Sequence, residues 1–391
     1  MPKLRFTHLG LLILILTALA AAGDLQVRRG HRSRGGPLLA LVNGTLIDGT
    51  GADPIAGATV LIRDGRIAAV GASVDVYVPR DAERVDLEGR YILPGFINTH
   101  VHNALREDHL RTWAREGVTT VRDVGASQPY ATVFRLRDTY RADPLCARLI
   151  AAGPLVTVPG GYPIVPNQFP SMVVLSPDDA RTKVSQLVEA GADLVKISLE
   201  PSGGLPVLTA EETVAIVETA HLGAVPVAVH ATQVAMYRRA LDAGVDDICH
   251  SSQNRLSDEM IAEMVQNGVY MVPTLTAQRK TGETMSNLGR FLAAGGKVAL
   301  GNDGGYLAGL EVGMPMTELE AMREAGMSPM QIIMAATKTA AEVCRLDREL
   351  GTLERAKRAD ILVVRQNPLE DLRALLQVSL VMHSGIIIRR N

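Results

Sequence analysis

Between residues 93 and 346 the sequence repeats one unit: a helix start, a helical stretch, a glycine, a short apolar run and, in several copies, a polar residue at the end of that run. The starts are explicit. Ser176-Pro177-Asp178-Asp179 and Thr209-Ala210-Glu211-Glu212 both carry N-cap signatures, in which a hydroxyl accepts a backbone N–H and an acid three positions on returns a bond to the cap. Ser257 and Ser328-Pro329 are further starts. Gly191, Gly223, Gly244, Gly268 and Gly296 read as stops, each followed closely by an apolar run. Such alternation calls for parallel strands joined by crossover helices, an α/β fold. Candidate strands lie at 92–100, 118–124, 149–152, 194–199, 225–229, 247–250, 269–272 and 298–300. Strands of that number over such a length fit a closed (β/α)8 TIM-type barrel, for which roughly 250 residues is typical.

Both flanks of this segment read as β structure. Residues 38–48 alternate, 60–70 form a hairpin around Arg63-Asp64-Gly65-Arg66, and another strand lies near Val85. Strand-like alternation returns at 351–364 and 378–390. The expectation is a small β-sandwich built from the N-terminal part, 38–92, and the C-terminal part, 347–391; two unrelated β decorations are the alternative. At the start, Lys3 and Arg5 precede an apolar run from Leu11 to Ala20 and small residues, so 1–22 reads as a signal peptide and 23–37 as a basic Gly/Arg-rich connector. That run is shorter than the ~20 apolar residues a bilayer span needs. Export to the periplasm or beyond follows, with no stable membrane span after cleavage. An uncleaved anchor competes with this reading because Arg28, Arg29, Arg32 and Arg34 come next.

The chain has 391 residues, 47% of them hydrophobic, and a formal net charge of −2. This is core-forming material with no basic excess that would call for nucleic acid, so a small-molecule substrate is expected, and a homo-oligomer is left open. Three cysteines, Cys146, Cys249 and Cys344, imply no disulfide framework. Alternation sends Cys249 away from His250, into the helix layer, as an inert thiol.

The polar strand ends carry the chemistry. His100 and His102 are two apart, hence on one strand face, and two imidazoles aimed at one point suit a metal ion. Lys196, His230, His250 and Asp303 each end a later apolar run. In a (β/α)8 barrel functional residues sit at the carboxyl ends of strands, so all six converge on one mouth. A buried ammonium at Lys196 is costly unless paired or altered. It is either ion-paired with Glu200 or Asp303, or converted by carbon dioxide to a carbamate that bridges two metal ions.

This pattern resembles the amidohydrolase superfamily, in its imidazolonepropionase-like and prolidase-like branch. The likeness runs through Leu93-Pro94-Gly95-Phe96-Ile97-Asn98-Thr99-His100-Val101-His102, Gly117-Val118-Thr119-Thr120-Val121-Arg122-Asp123-Val124-Gly125, Gly191-Ala192-Asp193-Leu194-Val195-Lys196-Ile197, Val229-His230-Ala231-Thr232, Ala243-Gly244-Val245-Asp246-Asp247-Ile248-Cys249-His250, and Gly351-Thr352-Leu353 to Ala359-Asp360-Ile361-Leu362-Val363-Val364. The resemblance implies two divalent metal ions, zinc by preference. His100 and His102 would hold one, His230 and His250 the other, with carboxylated Lys196 as bridge and Asp303 as ligand and catalytic proton shuttle. Departures are Asn302-Asp303-Gly304-Gly305 in place of Thr-Asp-Ala-Gly, Ser251 after His250, and Arg355-Ala356 in place of Pro-Gly. None removes a ligand.

The implied activity is a metal-dependent amidohydrolase that cleaves an amide-type C–N bond, in a non-peptide amide, a cyclic amide or a dipeptide, by a metal-bridging hydroxide. A lactone, ester or phosphotriester hydrolase on the same site is one alternative, and a non-catalytic ligand-binding barrel is another. Substrate contacts are expected from the loop after the third strand, with Tyr162, Asn167 and Gln168, and from Gln278, Arg279 and Lys280 after the seventh. There Arg279 either meets a substrate carboxylate or is simply solvated.

Overall fold

The structure, a computed structural model, describes residues 38–306 and 308–391. The signal peptide and the basic connector, with the export they imply, lie outside the described residues. In chain order the strands are β1 (Leu38–Leu46), β2 (Ile55–Arg63), β3 (Arg66–Ala72), β4 (Glu83–Asp86), β5 (Tyr91–Pro94), β6 (Phe96–Val101), β7 (Val118–Asp123), β8 (Arg148–Ala151), β9 (Val156–Thr157), β10 (Met172–Val173), β11 (Val195–Ser198), β12 (Val227–His230), β13 (Asp247–Cys249), β14 (Tyr270–Val272), β15 (Ile361–Val364), β16 (Val378–His383) and β17 (Ile386–Arg390). Helices alternate with strands from β6 onward.

The helix starts form as the sequence dictates. Ser176 accepts the N–H of Asp179, and Thr209 with Glu212 and Ser328 with Gln331 close reciprocal capping boxes. Two of the stops differ in detail. Gly244 ends its helix at φ 79°, but Gly223 stays right-handed and Ala224 takes φ 57°, while Gly295 rather than Gly296 is left-handed.

The apolar run at 92–100 is two strands, not one. β5 pairs antiparallel with β15 and parallel with β1, whereas β6 pairs parallel with β7. The chain changes sheets at Gly95, where a Cβ would stand 2.3 Å from the Thr119 hydroxyl, so only glycine lets the backbone pass. Through β5 the two ends of the chain build one eight-stranded sheet rather than two decorations. Leu41, Val60 and Ile62 from one end share a buried cluster with Ile361, Val363, Leu380 and Met382 from the other.

The parallel strands form a three-stranded sheet, β6-β7-β8, and a six-stranded sheet, β10-β9-β11-β12-β13-β14. The expected eighth strand at 298–300 is reduced to a bridge between Met271 and Val298, because Leu300 gives its N–H to Ala335 instead of a strand neighbour. The 298–304 segment nevertheless bonds on both sides: Ala299 N–H to Met271 O at 3.0 Å, Thr99 N–H to Leu300 O at 2.8 Å, and Asp303 N–H to His100 O at 2.9 Å. It thereby sets Asp303 beside β6.

Outward residues Val121, Val195, Ile197, Val229 and Ile248 pack on helix residues such as Trp113, Leu187, Ile216 and Tyr237. Ile150, Leu194, Ala228 and Cys249 form a separate inner cluster. Cys249 thus faces inward, contrary to the alternation argument. Within the strand Cys249 is inward because Ile248 is outward, and His250, at φ 74°, leaves the strand and turns inward as well. On this inner face Arg122, from β7, donates two hydrogen bonds to Asp247, at 2.8 and 2.9 Å, and one to Thr99 O at 2.6 Å; both ionic partners are 1% exposed. Asp247→Ala strands a buried guanidinium and is expected to lower unfolding free energy by about 3–5 kcal/mol. Denaturant titration measures this, and Arg122→Met in the same chain should recover much of the loss.

Candidate metal centre and pocket

His100, His102, Lys196, His230, His250 and Asp303 all line one pocket, with an empty volume of about 460 Å³. His100 and His102 both point Nε2 at Asp303 Oδ1, each at 3.2 Å. Ring centroids lie 4.9 Å apart for His100 and His250, and 4.2 Å apart for His230 and His250. One ligand atom from each of His100, His102 and Asp303 falls within 4.8 Å of the others, a group able to hold a cation. Asp303, like His250, reaches its place through a left-handed backbone, at φ 60°. Strain of this kind clusters where a side chain must be aimed.

The neighbours fix which nitrogen faces inward. His102 donates its Nδ1–H to Gly125 O at 3.1 Å, and His250 Nδ1 is hydrogen-bonded to Thr274 Oγ1 at 2.7 Å, so Nε2 of each ring is left for a ligand role. His230 instead uses Nε2, on Glu200 Oε2 at 3.3 Å. Glu200 also accepts from the Thr232 hydroxyl at 2.6 Å and from the Ser202 hydroxyl. It is therefore committed to His230 and not to Lys196, and Asp303 is committed to its two imidazoles. Lys196 Nζ, on a side chain 1% exposed, has no hydrogen-bond partner, so the ion pair with Glu200 or Asp303 does not form. His100 Nδ1 and His250 Nε2 are likewise buried and unpartnered.

Three of the four imidazoles and both acids are shifted toward the forms a cation-binding set needs. Burial, joined by the Lys196 charge, holds His100 well below the ordinary imidazole range, and burial with His230 and His100 does the same to His250. Burial also lowers His230. His102 goes the other way: burial is outweighed by the hydrogen bond and charge of Asp303 and by Asp123. Burial would raise Asp303, but His100 and His102 hold it well below the carboxylate range. Glu200 falls to about 2, since hydrogen bonds from His230, Ser202 and Thr232 overcome burial. Neutral imidazoles and ionised acids are the forms a metal requires. The unpartnered buried His250 Nε2 and Lys196 Nζ, in a nitrogen and oxygen donor set, fit a divalent ion such as zinc.

Against protein families of known type, residues 91–388 match the amidohydrolase family model. The chain belongs to the amidohydrolase family. It is thereby a hydrolase of carbon–nitrogen bonds, from a family generally dependent on metal, and the kinship implies a TIM-like barrel. Among curated relatives it is 26% identical over 345 residues to imidazolonepropionase of Salinispora arenicola, covering 78% of this chain and 85% of that one. Among solved structures it resembles a Xaa-Pro dipeptidase with bound methionine, at 27% identity and a TM-score of 0.79, covering 90% of this chain and 99% of that one. A solved amidohydrolase at 26% identity gives a TM-score of 0.77 over the same shares.

The residues that set this member apart from the family pattern have structural tasks. Asn302 accepts from Asn98 at 2.8 Å and from the Gly304 N–H at 3.1 Å, which ties the Asp303 turn to β6. At Gly304, where the family pattern has alanine, a Cβ would stand 2.5 Å from Glu311 O and 2.8 Å from Asn302 Oδ1. Of the substrate candidates, Tyr162 and Asn167 line the pocket, but Arg279 is exposed and stands outside its wall, in a turn where its own N–H bonds Thr276 O. Tyr162 stacks on His230 at 4.7 Å. Not foreseen were Gly125 and Thr274, which orient the histidines, and Phe169 and Tyr306 at the mouth. Their signals were present, since Phe, Trp and Tyr make up 4% of the chain and these two fall in loops rich in glycine and proline. Thr274→Val removes the bond that orients His250 and is expected to weaken metal retention by about 10–100-fold. Titration of the purified variant against a chelator of known affinity measures the change.

No helix among the described residues is long and apolar enough to cross a membrane.

Proposed function

We propose that this chain hydrolyses an amide-type C–N bond in a small molecule, with two divalent ions, zinc by donor set, held by His100, His102, His230, His250, Asp303 and a carboxylated Lys196. One observation carries the reading: the Lys196 nitrogen is buried without a partner in the same pocket as four histidine rings and one carboxylate. An unpaired ammonium there is costly, and a carbamate removes the cost while supplying two ligand oxygens. Bound in this set, divalent ions would polarise the scissile carbonyl and lower the pKa of water from ~15.7 toward ~7.

The chain's own groups do the rest. Asp303, ionised and aimed by His100 and His102, takes the proton of the attacking water on its carboxylate and passes it to the leaving nitrogen. Burial, then the charges of Asp303 and Glu200, push the Tyr162 hydroxyl up to about 12. It therefore stays protonated at neutral pH and can donate to the substrate carbonyl. The reading extends to a closed (β/α)8 barrel, to a sandwich made by the terminal strands and to export of the mature chain. In support stand the strand and helix alternation, the core shared by both chain ends, and the apolar run at 11–20.

A matched panel of amides, esters, lactones and phosphotriesters offered to the metal-loaded protein tests the reaction class. Turnover of amides is the expected result. Turnover confined to esters, lactones or phosphotriesters would overturn it in favour of that chemistry, and no turnover at all would favour a binding protein.

A further inference from the structure

Beyond the histidines Phe169 and Tyr306, whose rings meet edge to face at 6.0 Å, line both this pocket and a second hollow beside it. The new wall is amide-rich: Asn103, Gln128, Asn167 and Gln168 line it. Its one charged group is the buried Asp123, which accepts the backbone N–H groups of Ala104 and Gly125 at 2.9 and 3.0 Å. Among the described residues no arginine lines either hollow, and Lys196, beside the histidines, is their one lysine. Arg106, close in sequence, is spent on Asp108 through bonds of 3.1 and 2.6 Å, and Arg279 stands outside.

A substrate carboxylate placed here would shed water against two aromatic rings and meet Asp123 with no cation to replace what it lost. Burial of an unpaired charge is strongly unfavourable, whereas an aromatic ring gains edge and face contacts and an amide finds partners on the far wall. We propose that the arm of the substrate that packs against the Phe169–Tyr306 pair and faces the second hollow is uncharged and aromatic, as in an N-acyl anilide, and that free dipeptides and N-acyl amino acids are disfavoured. This rests on the hydrolase reading above and narrows its substrate class.

The test pairs N-acyl 4-methylanilides, over a series of acyl groups, with their 4-carboxylate counterparts, which differ by one charge at nearly constant shape. For the metal-loaded protein the neutral member of each pair is expected to show at least about tenfold higher kcat/KM, with the difference chiefly in KM. Calorimetric binding of the same pairs gives a readout that needs no turnover, and the neutral member should bind more tightly. In Gln128→Arg, which places a cation on the far wall, the neutral-to-carboxylate ratio should fall by about tenfold. Equal or better use of the carboxylates by the unaltered protein would overturn the proposal while leaving the hydrolase reading intact. No turnover of any pair, with tighter binding of the neutral members, would overturn the hydrolase reading and leave the charge preference standing. Equal binding or tighter binding of the carboxylates, or an unchanged ratio in the arginine variant, would also count against it.

Discussion

Asp303→Asn, assayed as the metal-loaded protein, is expected to lose about 10³–10⁴-fold in kcat/KM with its fold intact, the upper part of the range that one positioned general acid–base contributes. The substitution keeps the shape and one oxygen for the two imidazoles, but an amide can neither accept the proton of the attacking water nor return it to the leaving nitrogen. Two observations make the effect large. Among the described residues no other carboxylate lines the pocket, and Glu200 nearby is held by His230, Thr232 and Ser202. The backbone that presents residue 303 is also fixed, by its own N–H to His100 O and by Asn302 beside it. Steady-state kinetics over a pH series, with circular dichroism as the control for folding, checks the prediction. Activity within about tenfold of the unaltered protein would remove Asp303 from proton transfer.

Lys196→Met is expected to move two measurements in opposite directions. Without metal, replacing a buried unpaired ammonium by an apolar side chain of similar length should raise the unfolding midpoint, because the desolvation cost disappears. With metal, the variant would lack the ligand oxygens of the proposed carboxylated lysine. Several kcal/mol of transition-state stabilisation are then lost, or about 10³-fold in rate at 1.36 kcal/mol per decade. Bicarbonate, which should increase metal uptake by the unaltered chain, should have no effect on the variant. If Lys196 served only as an ordinary cation, the variant would keep its metal and most of its activity.

Much of this site was legible in the sequence because each ligand ends an apolar run, and strand geometry converts that position into a direction. His100 and His230 follow this rule directly, whereas Lys196 is the second residue of β11 and faces inward by alternation with Val195 and Ile197. His250 does not: it is inward because its backbone turns left-handed after Cys249, and nothing in the local pattern marks that turn. Cys249 is inward by plain alternation with Asp247 and Ile248, so the break concerns His250 alone. The 92–100 run hid a sheet change because its apolar character is continuous across Gly95, and only the closeness of Thr119 makes the glycine decisive. The partners that fix the imidazoles, Gly125 O, Thr274 Oγ1 and Glu200, were harder to foresee. They act through single hydrogen bonds between elements distant in sequence, and periodicity does not encode those. Arg279 looked attractive as a cation after β14, but the positive φ of residues 279 and 280 turns that stretch outward.

The proposed activity depends on a metal centre assembled around Lys196. Diffraction from crystals of the metal-loaded protein, with data on both sides of the zinc absorption edge, addresses it most directly. Anomalous peaks about 2.0–2.2 Å from the Nε2 atoms of His100 and His102 and from ligand atoms of His230 and His250 are expected, with added density on Lys196 Nζ reaching both peaks. A bare Lys196 with no anomalous scatterer among these histidines, in protein saturated with zinc and bicarbonate, would contradict the account.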